Sequence, residues 1–235
     1  MITEAIVLAG GMGTRLRQAV SEVPKSMAPV NGRPFLEYLL DYLDKNGFGH
    51  VVLSVGFMNE QIREHFGERH KGIRLSYAVE ESPLGTGGGI RKAFGMVGGA
   101  EAFAFNGDSL FLADPAKMFS FHETGAGYLT IALRYVEDAS RYGSVKMDAL
   151  HRIRGFAEKT AEGGPGYING GVYILNKAFL TGTAFPESFS LEKDCFEQYY
   201  RDIPILGFPS EGYFLDIGIP EDYHRAQDEF RKLEY

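Results

Sequence analysis

Apolar residues recur in two alternating periods along the first hundred positions of the chain. Short apolar runs at residues 5–9 and 51–55, and alternation at residues 74–79, predict strands. Between them, apolar residues three or four positions apart predict helices, the first beginning at Phe35 and ending at Gly47. Strands alternating with helices are typical of a parallel sheet covered on both faces. Ligands of such folds bind beyond the carboxyl ends of the strands, so the loops there are the first candidates for a functional site.

The second half of the chain carries a less regular pattern. Strands are predicted at residues 128–135, 153–158 and 167–175, and the last contains an Asn-Gly-Gly break. Helices are predicted to begin after Ser190, as an N-cap, and at Pro220, as a first-turn proline.

A glycine-rich loop follows the first predicted strand. Gly10, Gly11 and Gly13 precede Thr14 and Arg15. Glycine lets backbone N–H groups approach a ligand closely, and successive N–H groups in such a turn can hold an anion. The spacing matches neither a Walker loop nor a dinucleotide fingerprint, which argues against a Rossmann-type dehydrogenase. Taken alone, the loop is equally compatible with a structural turn.

Two further motifs give the glycine loop a context. They read P-K-S-M-A-P-V at residues 24–30 and G-R-P-F-L-E-Y at residues 32–38. Together with L-A-G-G-M-G-T-R-L at residues 8–16, they resemble the sugar-1-phosphate nucleotidyltransferases. The resemblance extends from Ala5 to Tyr223. It implies an α/β fold of the nucleotide-diphospho-sugar transferase type: a Rossmann-like, mixed and mostly parallel sheet flanked by helices.

The resemblance also implies an activity. Members of the family transfer a nucleotidyl group from a nucleoside triphosphate to a sugar 1-phosphate and release pyrophosphate. A single domain over residues 1–235 is expected, with a nucleotide-binding part at about 1–112 and a sugar-binding part at about 113–235. The motifs R-Y-G-S-V and I-N-G-G-V-Y resemble members that use GTP and D-glycero-α-D-manno-heptose 1-phosphate. Alternatives are guanylyl transfer to mannose 1-phosphate, uridylyl or thymidylyl transfer to another sugar 1-phosphate, and a regulatory subunit that binds nucleotide sugars without catalysis.

Carrying the family's functional residues onto matching positions gives a nucleotide site. Arg15 and Lys25 are expected to be catalytic, as cations that neutralise the reacting phosphates. The segment P-L-G-T-G-G is expected to hold the base, although its composition also suits a flexible turn. The expected nucleotide-binding residues are Leu8, Ala9, Gly10, Gly11, Gly13, Thr14, Glu80, Leu84, Gly85, Thr86, Asn106 and Gly107.

The metal and sugar sites follow in the same way. Asp108 and Asp216 each end an apolar run and are expected to ligate Mg²⁺, which prefers hard oxygen ligands. Either aspartate alone would equally suit a turn or a helix cap. The expected sugar-phosphate contacts are Tyr142, Gly143, Glu158, Lys159, Asn169, Gly170 and Glu192. Lys159 also suits a solvated surface position, and Glu192 the first turn of a helix.

Two positions depart from the family pattern. Thr160 stands where the family often has proline, so the local backbone is expected to differ there, and Ser26 stands where many members have proline, which leaves the exact subfamily open. Neither departure removes a charged group from the expected site.

Composition narrows the choice of partners. The chain has 24 basic and 31 acidic residues, a net charge of −7, which argues against a broad nucleic-acid or membrane surface. Its single cysteine, Cys195, excludes an internal disulfide and is typical of a reducing compartment. No apolar stretch would span a bilayer and no signal peptide is evident. We therefore expect a cytoplasmic protein with small-molecule substrates, and a homodimer by family resemblance alone.

Overall fold

A computed structural model describes residues 2–11, 23–157 and 163–233. The strands are β1 (Glu4–Leu8), β2 (Pro29–Val30), β3 (Arg33–Pro34), β4 (His50–Val55), β5 (Arg69–His70), β6 (Ile73–Val79), β7 (Glu101–Asn106), β8 (Ser109–Phe111), β9 (Leu129–Val136), β10 (Ser144–Met147), β11 (Ile153–Ala157), β12 (Gly166–Asn176), β13 (Ile205–Pro209) and β14 (Phe214–Asp216).

The α-helices are α1 (Phe35–Lys45), α2 (Asn59–Phe66), α3 (Gly85–Ala93), α4 (Pro115–Thr124), α5 (Lys177–Gly182), α6 (Glu197–Tyr199) and α7 (Pro220–Glu229). Short 3₁₀ turns occur at Lys25–Met27, Phe94–Met96 and Phe230–Lys232, and a π-helical turn spans Leu191–Phe196. Over the described residues, no helix combines the length and the apolar character that crossing a membrane requires.

A ten-stranded sheet runs through the molecule in the order β11-β10-β12-β7-β1-β4-β6-β5, and β9 joins β12 to β13. Strand β1 pairs in parallel with β4 and β7, and β4 pairs in parallel with β6. Beyond β7 the sheet becomes mixed, because β12 runs antiparallel to both β7 and β9, whereas β13 pairs in parallel with β9. The predicted α/β class with a mixed sheet is confirmed, and the parallel part coincides with the regular alternation of the first hundred residues.

Helices cover both faces of this sheet. Val51 and Leu53 of β4 belong to one buried apolar cluster together with Phe35 of α1. Val52 points to the opposite face and belongs to a second cluster with Ile90 of α3. Burying each such side chain contributes roughly 1.5–3 kcal/mol, so both layers are held mainly by apolar contact.

A hairpin that the sequence pattern did not predict connects the first loop to α1. Strands β2 and β3 pair around Asn31 and Gly32, both with positive φ. The phenol of Tyr38 in α1 donates to the carbonyl of Val30, and that of Tyr223 in α7 donates to the carbonyl of Pro29. The G-R-P-F-L-E-Y motif thus anchors the segment that carries Lys25.

A second small sheet brings distant parts of the chain together. Strand β14 pairs antiparallel with β8, with Asp216 opposite Ser109. The backbone N–H of Ile217 donates to the carbonyl of Asp108 at 3.0 Å. The ends of two strands that are far apart in sequence are therefore fixed beside each other.

Several local predictions are confirmed. Ser190 caps the turn that follows it by accepting from the N–H of Lys193, although this turn is π-helical at first. Pro220 opens α7. The register of β12 against β9 shifts between Asn169 and Tyr173, where Gly171 has a φ of 74°. The glycine break predicted within this strand therefore corresponds to a bulge.

Candidate active site

A cavity of about 570 Å³ lies beyond the carboxyl ends of β1, β4, β6 and β7. This is the edge of a parallel sheet at which ligands are expected. Its walls are formed by Leu8, Ala9, Gly10, Gly11, Lys25, Ser26, Gly56, Phe57, Glu80, Glu81, Ser82, Pro83, Gly85, Thr86, Asn106, Gly107 and Asp108. A larger cavity of about 680 Å³ is lined by residues of α2, β5 and β6 and contains none of the expected site residues.

The floor of the smaller cavity is formed by backbone segments that contact one another directly. The N–H of Gly107 donates to the carbonyl of Leu8 at 2.9 Å, and that of Ala9 to the carbonyl of Ser54 at 2.8 Å. A Cβ atom added to Gly107 would lie 2.5 Å from the Leu8 oxygen, so no larger residue fits without displacing the backbone. The ends of β1 and β7 are locked together by this contact.

One wall of the cavity is the loop between β6 and α3. The carboxylate of Glu80 accepts from the hydroxyl of Ser54 at 2.8 Å and from the N–H of Leu84 at 3.0 Å. Glu80 therefore holds the loop in place as well as facing the cavity. Leu84 itself is buried and does not line the cavity.

The glycine run at the start of α3 serves close packing. The N–H of Gly87 donates to the carbonyl of Phe189 at 3.0 Å, and a Cβ atom on Gly87 would overlap the Phe189 ring. Arg91 closes the same contact by donating to the carbonyls of Phe185, Pro186 and Glu187. The segment that is expected to hold the base is therefore fixed by packing and is not a flexible turn.

A cluster of three charges lies at the mouth of the cavity. The Nζ atom of Lys25 is 2.5 Å from Oδ2 of Asp108 and 3.6 Å from Oδ1 of Asp216. Lys25 sits in a 3₁₀ turn in which the hydroxyl of Ser26 donates to the carbonyl of Ala9 at 3.2 Å. The serine that departs from the family pattern therefore ties the lysine to the end of β1.

Asp108 and Lys25 act on the protonation of Asp216 in opposite directions. Burial and the neighbouring charge of Asp108 raise the pKa of Asp216, while Lys25 opposes the rise. Among the residues that the structure describes, no group of three or more His, Cys, Asp or Glu side chains could hold a metal. The two carboxylates fit Mg²⁺, which takes one or two carboxylates and completes its shell with substrate phosphates and water.

The expected sugar contact Glu192 adjoins the cavity wall at Thr86. Glu192 accepts from the hydroxyls of Thr86, Ser190 and Tyr173 at 2.8, 3.0 and 3.3 Å. Asn169 donates to the Tyr173 hydroxyl at 3.0 Å. One hydrogen-bonded group thus contains two of the predicted sugar contacts, Asn169 and Glu192, together with Thr86 of the cavity wall.

Other predicted sugar residues have different surroundings. The ring of Tyr142 packs edge-on against Phe214 in β14, 5.9 Å between centroids. Gly170 packs against the ring of Phe111, which would overlap an added Cβ atom. Gly143 adopts a φ of 77° in the turn after Tyr142. Of these three positions, Tyr142 contacts the strand that carries Asp216.

Some predicted residues lie outside the described part of the chain. These are Gly13, Thr14, Arg15, Glu158 and Lys159, and the position Thr160.

Sequence reasoning missed three residues that support the site: Tyr173, Ser54 and Asp222. Tyr173 and Ser54 lie in apolar strands and are fully buried, so periodicity marked them only as core. Asp222 lies in the first turn of α7, where an acidic residue is common, but it is 5% exposed and accepts from Arg141 at 2.6 Å and from Arg225 at 3.0 Å. Asp222 is one of four carboxylates in α7, so the local sequence does not single it out.

Comparison with known proteins agrees with this geometry. The nucleotidyl transferase family model matches residues 4–232. A D-glycero-α-D-manno-heptose 1-phosphate guanylyltransferase of Aneurinibacillus thermoaerophilus is 46% identical over 97% of this chain and 98% of its own. A mannose-1-phosphate guanylyltransferase of Mycobacterium tuberculosis is 35% identical over 95% of this chain and 63% of its own. The crystal structure of HddC from Yersinia pseudotuberculosis complexed with GMP-PN has a TM-score of 0.86 and 31% identity, covering 97% of this chain and all of that one.

Proposed function

The chain belongs to the nucleotidyl transferase family, and we propose that it transfers the GMP group of GTP to D-glycero-α-D-manno-heptose 1-phosphate, giving the GDP-sugar and pyrophosphate. The observation that carries the chemistry is the cluster of Lys25, Asp108 and Asp216 at the mouth of the cavity. The similarity to a heptose 1-phosphate guanylyltransferase over nearly the full length of both chains supports this substrate pair.

The reaction requires stabilisation of the negative charge on the phosphates rather than proton transfer. The attacking oxygen belongs to the sugar phosphate, which is ionised at neutral pH, so no general base is required. The obstacle is the approach of two anions and the departure of pyrophosphate. Positioned cations that stabilise charge developing at phosphorus are what such a transfer requires.

Lys25 is assigned to the reacting phosphates. Its ammonium group has little solvent exposure, 11% of the side chain, which strengthens its interaction with an anion. In this role it contacts both the sugar phosphate and the α-phosphate. Arg15 is assigned to the α-phosphate and the departing pyrophosphate by its place in the family motif.

Asp108 and Asp216 are assigned as ligands of a divalent cation, Mg²⁺. When bound, Mg²⁺ neutralises phosphate oxygens and the charge on the leaving pyrophosphate. The pairing of β8 and β14 holds the two residues beside each other, so the fold preorganises them as ligands.

The nucleotide is assigned to the cavity and the sugar to the Asn169 and Glu192 side. Asn106 is assigned as a nucleotide contact because it ends β7 and lines the cavity. This assignment divides the chain near residue 112, with the nucleotide side before it and the sugar side after it. Cytoplasmic localisation is part of the proposal, supported by the unpaired Cys195.

A second candidate is guanylyl transfer to mannose 1-phosphate. The 35% identity to a mannose-1-phosphate guanylyltransferase favours it as the alternative acceptor.

The test is Mg²⁺-dependent pyrophosphate release. GTP, UTP, dTTP, CTP and ATP are each paired with a panel of sugar 1-phosphates that includes the heptose and mannose compounds. We expect release to be greatest with GTP and the heptose phosphate, lost with EDTA and restored by Mg²⁺. Greater release with mannose 1-phosphate would establish the alternative, and no release with any pair would contradict an enzymatic function.

A further inference from the structure

Tyr173 lies at the centre of a hydrogen-bond group that links the two sides of the site. It is on β12, fully buried, and has no role in the chemistry described above. Its hydroxyl accepts from Nδ2 of Asn169 at 3.0 Å and approaches Oε1 of Glu192 at 3.3 Å. A carboxylate can only accept, so the phenol proton points to Glu192.

The other oxygen of Glu192 is also fixed. Oε2 accepts from the hydroxyl of Thr86 at 2.8 Å. That hydroxyl in turn accepts from the N–H of Leu191 at 2.8 Å, which directs its own proton to Glu192. A continuous chain of hydrogen bonds therefore runs from the cavity wall at Thr86, through Glu192 and Tyr173, to Asn169.

The surroundings make this arrangement rigid. The Tyr173 ring packs against Phe196 within a buried apolar cluster, with 5.4 Å between ring centroids. Burial, and then the charge of Glu192, raise the pKa of Tyr173 well above its usual range, so it stays a proton donor under working conditions. Hydrogen bonds in such an environment are stronger than at the surface, and buried polar groups left unpaired are costly.

We propose that Tyr173 is a positioning residue for the sugar 1-phosphate, which orients Glu192 and Asn169 for contact with the sugar. The inference rests on the proposed function, in which Glu192 and Asn169 bind the sugar. Fixing both side chains before the sugar arrives lowers the entropic cost of binding. Asn169 keeps its second amide hydrogen for a ligand, because its Oδ1 accepts from the N–H of Gly171 and one Nδ2 hydrogen serves Tyr173.

The test uses Tyr173→Phe, which removes the hydroxyl and keeps the ring. KM for the sugar 1-phosphate is expected to rise roughly tenfold, with KM for the nucleotide within about twofold of the unsubstituted protein. Tyr42→Phe is the matched control, since Tyr42 is a buried tyrosine in the opposite apolar cluster whose hydroxyl donates to the carbonyl of Ala113 at 2.6 Å. The control is expected to change the denaturation midpoint without a selective rise in KM for the sugar 1-phosphate.

A double-mutant cycle with Glu192→Gln separates positioning from general destabilisation. If Tyr173 acts through Glu192, Tyr173→Phe raises KM for the sugar by a smaller factor in the Glu192→Gln background than in the unsubstituted protein, and the part that remains reflects its contact with Asn169. Additive effects, or equal changes in both KM values for Tyr173→Phe, would overturn the inference while leaving the proposed function in place. If Glu192→Gln leaves KM for the sugar unchanged, the proposed sugar site fails, and the role of Tyr173 fails with it. Absence of activity with every substrate pair would overturn both proposals.

Discussion

Main-chain groups build the proposed nucleotide side of the site, whereas side chains build the proposed sugar side. On the first side, β1, β4 and β7 end in contacts between backbone atoms, and Gly107 leaves no space for a Cβ atom. On the second, Glu192, Tyr173 and Asn169 are held by hydrogen bonds between side chains. A substitution in a side-chain network removes a single group, whereas a substitution that displaces the backbone shifts every residue in that wall of the cavity. Substitutions on the nucleotide side should therefore affect fold and catalysis together, and those on the sugar side should affect one substrate selectively.

The largest effect is expected where the two sides meet, at Lys25. Lys25→Met keeps most of the aliphatic volume but removes the charge shared by Asp108 and Asp216. We expect turnover to fall roughly 10²–10³-fold, by analogy with the loss of one preorganised group that stabilises the transition state. Steady-state pyrophosphate release measures this change.

The control for Lys25 is Lys117→Ala. Lys117 is 78% exposed in α4 and its pair with Asp114 is a surface contact, so turnover should not change. Near-normal turnover of Lys25→Met would show that its assignment to the reacting phosphates is wrong.

A smaller effect, on the free energy of unfolding, is expected from Gly107→Ala. The added Cβ atom would lie 2.5 Å from the carbonyl oxygen of Leu8, so the ends of β1 and β7 must separate. We expect destabilisation of about 1–3 kcal/mol, typical of overpacking, together with weaker nucleotide binding. The midpoint of urea denaturation and KM for the nucleotide measure the two effects.

Gly95→Ala is the matched control for Gly107, because a Cβ atom there meets no atom within 4 Å. If both alanine variants had the same stability as the unsubstituted protein, the close backbone contact would not constrain this side of the site.

The same contrast explains how much could be predicted from the sequence. The parallel strands and the helices between them are local patterns, so periodicity was enough to predict a parallel sheet covered on both faces, whereas the mixed sheet was implied by the family resemblance. The meeting of Asp108 and Asp216 depends on the pairing of β8 with β14, two three-residue strands too short to carry a pattern of their own. Only the family resemblance pointed to it.

Tyr173 shows the limit of pattern reasoning. A tyrosine in an apolar strand is expected to be core, and Tyr173 is indeed buried. Its hydroxyl contacts Asn169 on the other side of the bulge and Glu192 in a later turn. Neither contact can be predicted from the local sequence pattern. The same holds for Ser54 on β4, whose hydroxyl donates to Glu80 at the end of the neighbouring strand β6.

The smallest effect is expected from Arg141→Ala, at the edge of the sugar side. Arg141 donates to the buried carboxylate of Asp222 at 2.6 Å and so anchors the turn that carries Tyr142. Asp222 keeps its contact with Arg225 at 3.0 Å, and Arg141 is half exposed, so the loss is worth no more than about 1 kcal/mol. KM for the sugar 1-phosphate should rise by about two- to fivefold, with KM for the nucleotide unchanged.

Arg154→Ala is the matched control for Arg141, because it breaks an equally short arginine–aspartate pair, 2.7 Å to Asp148, outside the proposed site. It should leave both KM values unchanged. A parallel rise of both KM values in Arg141→Ala would mean that the turn with Tyr142 serves the nucleotide as well. The nucleotide and sugar sides would then not be separable at this edge, because Arg141 would support the binding of both substrates.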